Sequence, residues 1–65
     1  MISTQISCVV EESDYLEVHE LSSTVRVSVI GDGGLVDEVV VLDLKKTKQL
    51  VLALNNAVLA MEEKL

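Results

Sequence analysis

The segment from Leu44 to Leu65 carries apolar residues on two sides of a single helix, which constrains the fold more than any other feature of the chain. At 3.6 residues per turn, Thr47, Leu50, Val51, Leu54, Ala57, Val58, Met61 and Leu65 share one broad face. Leu52 and Leu59, seven positions apart, fall on nearly the opposite side. One apolar face is enough to close the core of a small domain. The second has no obvious use inside a monomer. The pattern therefore predicts a helix built to touch another chain, most simply a copy of itself. Asn55 and Asn56 flank the Leu52/Leu59 stripe, and a polar residue at such a seam can fix register.

Chain length points the same way. Sixty-five residues form one domain, taken here as 1–65. A chain of this size buries only about 60% of its unfolded surface. Small scaffolds make up the shortfall with disulfides, metals, cyclisation or oligomerisation. Cys8 is the only cysteine, so no disulfide forms within the chain, and Cys8 with His19 cannot supply the four ligands of a structural zinc site. Oligomerisation is left. Tyr15 is the single aromatic residue, so the core must be aliphatic.

Upstream of the helix the chain reads as four strands separated by turns. Ile2, Thr4, Ile6, Cys8 and Val10 alternate with polar residues except at Val9. Glu11–Asp14 is a polar turn. Tyr15–Leu21 alternates again, Ser22-Ser23 breaks it, and Thr24–Ile30 follows with the cleanest period of two. Gly31-Asp32-Gly33-Gly34 is a hairpin signal. Leu35–Asp43 is the fourth strand, apolar on both faces at Val39-Val40-Val41-Leu42. Asp43 is placed to cap the helix that starts at Leu44. The expected fold is α+β: an antiparallel β-meander of three to four strands followed by one long C-terminal helix packed on the sheet. Val25, Val27, Val29, Leu16, Val18, Val40 and Leu42 are the expected helix-facing side. A 22-residue helix, about 33 Å long, exceeds the width of a small four-stranded sheet, so its last turns should overhang.

The net charge is −6 and is divided unevenly. Residues 1–43 hold nine acids and one base; residues 44–65 hold four bases and two acids. Direct nucleic-acid binding and binding to anionic membranes are disfavoured for such a chain. Lys45, Lys46 and Lys48 are placed in the first helical turns, where the macrodipole disfavours cations. Either they form a solvated face, or they meet an anion, such as the acidic sheet of a second subunit across a two-fold axis.

No motif implies catalysis or a cofactor. The glycine-rich turn lacks the Lys-Ser/Thr ending of a phosphate loop, and no helix follows it. Glu17 and His19 share a strand face, but no nucleophile or oxyanion donor stands near them in sequence. Cys8 sits in the apolar alternation and reads as a small core hydrophobe. Asp32, Asp37 and Glu38 lack the spacing of a calcium loop. No metal and no cofactor are expected. The lone cysteine, the absence of a basic, then apolar leader after Met1 and the lack of any apolar run near ~20 residues predict a cytoplasmic protein.

The strand-strand-strand-helix order resembles the transcriptional coactivator family that binds single-stranded DNA as a dimer. That family needs basic strands and stacking aromatics, whereas this chain has one Tyr and an acidic sheet, so the resemblance implies architecture alone. In size and charge the chain resembles short acidic accessory proteins of phages. The first expectation is a non-catalytic, homo-oligomeric interaction module, most simply a dimer. Its interface residues are Leu52, Leu59, Asn55, Asn56, Lys45, Lys48, Val39 and Val41. The alternative is an acidic inhibitor or regulator that occupies a basic, nucleic-acid-binding surface of another protein.

Overall fold

The computed structural model describes residues 3–65. Four strands are followed by one helix: β1 (Ser3–Ser7), β2 (Tyr15–Glu20), β3 (Val25–Ile30), β4 (Val36–Leu42) and α1 (Leu44–Glu63). The strands form one antiparallel sheet in the order β1-β2-β3-β4, so the fold is the α+β meander that the alternation predicts. The expected place of Ile2 in the first strand lies outside the described residues.

Turn chemistry accounts for the meander. The amide of Leu21 donates to Thr24 O at 2.9 Å and closes the Ser22-Ser23 hairpin. A 3-10 turn at Asp32–Gly34 joins β3 to β4. Gly33 and Gly34 have φ of 80° and 77°, a region in which a Cβ is strained. The amide of Gly31 donates to Leu35 O at 2.9 Å across the base of this turn. Just beyond it the register shifts: Ile30 opposes Val36 while Val29 opposes Glu38, leaving Asp37 as the extra residue of a bulge.

Residues opposed across antiparallel strands share a face. Ile6, Leu16 and Val29 form one cross-strand row with Glu38. Thr4, Val18, Val27 and Val40 form the next, and Glu20, Val25 and Leu42 the last. This side holds all seven residues expected to face the helix. The other side carries Gln5, Glu17, His19, Arg26, Ser28, Ile30, Val39 and Val41.

Asp43 alone separates β4 from α1. Its carboxylate Oδ1 accepts from the Lys46 amide at 2.9 Å, and its carbonyl accepts from the Thr47 amide at 2.8 Å, forming the predicted cap. The helix touches the sheet through its first two turns. Lys46, Gln49 and Leu50 border an open groove with Val27, Val40 and Leu42. Leu44 and Thr47 sit beside the β2–β3 hairpin and Val25. From Val51 onward every helical residue is exposed. The overhang expected from helix length therefore begins much earlier: within one chain the broad face meets the sheet at Thr47 and Leu50, and Leu54, Val58 and Met61 cover nothing. The tight junction at Asp43 sets the direction in which the rigid helix leaves the sheet.

Little is buried as a result. Ile30, 4% exposed, is the one buried apolar side chain among the described residues, with Ser28 beside it in the central strand. The radius of gyration is 13.3 Å, against about 11 Å for a compact chain of this length.

Candidate functional site

The accessible surface of the chain is 5443 Å². A compact monomer of 7.1 kDa would expose about 4,100 Å² by mass scaling. The excess, about 1,300 Å², is larger than the ~800 Å² that a standard interface takes from each partner.

Besides Val9 and Val10 in the loop after β1 and Leu35 and Val36 at the turn before β4, large apolar side chains are exposed in three places. On the helix, Leu52 and Leu59 are 63% and 62% exposed, and Val51, Leu54, Val58 and Met61 of the broad face are comparably open. On the helix-facing side of the sheet, the row distal to α1 leaves Ile6 and Val29 exposed, beside a shallow groove lined by Ser7, Tyr15 and Leu16. On the opposite side, Val39 and Val41 of β4 are exposed. β4 is also an edge strand, so its outer row of backbone donors and acceptors is unpaired within the sheet.

The residues expected at an interface thus fall on two surfaces. Leu52, Leu59, Asn55, Asn56, Lys45 and Lys48 all lie on α1 and are exposed. Val39 and Val41 pair with Ser28 and Arg26 and face away from the side over which α1 starts. A single chain does not bring the two groups together.

The charges within the helix run against its dipole, while the caps run with it: Asp43 stands at the amino cap and Lys64 at the carboxyl cap. No acid lies in the first turn and no base in the last. Lys45 and Lys46 stand at the amino end, and Glu62 and Glu63 at the carboxyl end. Each such placement costs about 0.3–1 kcal/mol on an exposed helix. Beyond the sheet contact, the segment 51–63 is also no longer than the ~12–15 residues at which free helices are marginal. Propensity adds no support at Asn55 and Asn56. Helices of this kind are held by packing, and in one chain that packing stops at Leu50.

Other candidate chemistry disperses in the fold. Cys8 is exposed, which corrects its reading as a core residue: β1 ends at Ser7, and the chain turns away through the loop 8–14. The Cys8 amide donates to Asp14 O at 2.9 Å to close that loop, and Sγ accepts from the Glu11 amide at 3.3 Å. Val9 and Val10 stand in solvent for the same reason. His19 opposes Ser3 at the other end of the sheet, so Cys8 and His19 do not meet. Glu17 shares the face of His19 and accepts from Gln5 Nε2 at 3.3 Å. No group of three or more His, Cys, Asp or Glu side chains gathers among the described residues. The nine acids of residues 1–43 are spread over both sheet faces and the turns rather than gathered on one side. Among the described residues no helix is long and apolar enough to cross a membrane.

No protein-family model matches the chain, and neither a curated protein nor a solved structure is significantly similar to it.

Proposed function

We propose that this protein is a small, non-catalytic interaction module that acts as a homo-oligomer, most simply a dimer. The observation that carries this reading is the mismatch between exposed and expected surface: about 1,300 Å² in excess of a compact monomer, rich in Val and Leu. A soluble monomer rarely leaves contiguous apolar patches beyond a few hundred Å². A second copy offers the same surfaces in return, so each subunit covers what the other leaves open. The helix supports the reading independently. Its outer turns have no sheet beneath them, and a partner supplies the packing that would hold them.

Sedimentation equilibrium or multi-angle light scattering across a dilution series tests the proposal. A mass of 14.2 kDa or a larger multiple of the 7.1 kDa chain is expected at micromolar concentration, falling on dilution. The thermal midpoint should rise with protein concentration, because assembly stabilises the folded state by mass action. A 7.1 kDa species at every concentration, with a constant midpoint, would overturn it.

A further inference from the structure

How two copies meet is decided by the pattern on the outer side of α1. Lys45, Lys48, Leu52, Asn55, Leu59 and Glu62 follow one another at steps of three, four, three, four and three. That is the spacing of a coiled-coil seam, with Glu63 beside its end. The seam has bases at its start, a leucine on either side of an asparagine, and acids at its finish. The broad face begins beside the chain's own sheet, where Thr47 is half-buried and Leu50 borders an open groove with Val27, Val40 and Leu42. The Leu52/Leu59 stripe lies on the other side of the helix and is open along its length.

Charge selects the direction. A parallel neighbour would set lysine against lysine and glutamate against glutamate. An antiparallel neighbour centred on Asn55 sets Lys48 beside Glu62 of the partner subunit, each seven positions from the axis, and places Lys45, ten positions out, about two residues beyond the level of Glu63 of the partner subunit. It also sets Leu52 beside Leu59 of the partner subunit and brings the two Asn55 amides together at the two-fold axis. The same pairing opposes the two macrodipoles and answers the unfavourable charge at both helix ends.

We propose that two copies of this chain pair their α1 helices antiparallel along Lys45, Lys48, Leu52, Asn55, Leu59 and Glu62, with the two-fold axis at Asn55. This rests on the self-association argued above and specifies its geometry. The lysines find their acids on the partner's helix rather than on its sheet.

Disulfide trapping in the full chain tests this, in a Cys8→Ser background. Leu52→Cys and Leu59→Cys proteins are mixed in equal amounts and mildly oxidised, with light scattering on the same samples before oxidation. The mixed 52–59 disulfide should exceed each homodisulfide at least fivefold. Dominance of 52–52 and 59–59 products would mean parallel pairing and would overturn the proposal. So would a Leu54→Cys protein that cross-links to itself faster than the mixed pair, since that places the broad face at the seam. In either case a dimer seen by scattering leaves self-association standing; a monomer at all concentrations overturns both. A charge swap gives a second measure without cysteine. Lys48→Glu should weaken the dimer about tenfold, and adding Glu62→Lys in the same chain should restore most of the loss at low salt. No restoration would count against the register.

Discussion

Truncating Leu59 to alanine distinguishes a free helix from a paired one, because the two cases differ in sign. In an isolated chain Leu59 is 62% exposed. Its loss there removes little burial, and alanine is the better helix former, so stability should hold or rise by a few tenths of a kcal/mol. In a paired seam the exposed part of the side chain becomes covered. Complete burial of leucine contributes about 1.5–3 kcal/mol. The share still available on Leu59 corresponds to about 0.9–1.9 kcal/mol per chain. Two-fold symmetry doubles this, to roughly 2–4 kcal/mol per dimer. At 1.4 kcal/mol per factor of ten, the dissociation constant should rise by roughly 30- to 700-fold. Sedimentation velocity over a dilution series measures that constant, and thermal unfolding at fixed concentration gives the accompanying shift. An unchanged constant with an equal or higher midpoint would refute the reasoning, since it is the response of a side chain that meets only water.

Changes at two further positions probe the fold of the single chain. Asp43→Ala removes the carboxylate that accepts from the Lys46 amide and should cost about 1 kcal/mol, seen as a lower thermal midpoint and reduced helical circular dichroism, whereas Asp43→Asn should retain most of the cap. Ile30→Ala empties the most buried apolar position and should cost about 2–5 kcal/mol in urea unfolding, with Ile30→Val near ~1 kcal/mol; a loss for alanine no larger than that for valine would mean that Ile30 is not the centre of the sheet's packing.

The strand order was legible because each strand carries its own punctuation. Val25, Val27 and Val29 alternate cleanly, Gly33 and Gly34 supply the positive φ of the turn, and Asp43 announces the helix with a side chain that can reach the first orphan amides. Pairing then placed Leu16, Val18, Val25, Val27, Val29, Val40 and Leu42 on one side, as their alternation implied. Periodicity says which side of an element is apolar and is silent about what covers it. The broad face of α1 was legible as a face; that it leaves the sheet after Leu50 depends on the junction angle, which no pattern of residues encodes. Cys8 continues the alternation of β1 yet is exposed, because β1 itself is uncovered along its length, Ile6 included, and the chain turns away at Cys8 to close the loop to Asp14. The bulge at Asp37 carries no local signal, since Val36-Asp37-Glu38-Val39 fits a regular strand equally well.

The single-residue joint at Asp43 makes the domain an angle bracket with a short corner. With one residue between the last strand and the helix, the backbone at that residue sets how the whole helix is aimed relative to the sheet. Adding one residue there would turn every helical side chain by about 100° about its axis. Such a change would swing both greasy ridges out of alignment without altering a single residue in them. The shape of the proposed assembly would thus be governed from a corner that lies outside the proposed seam.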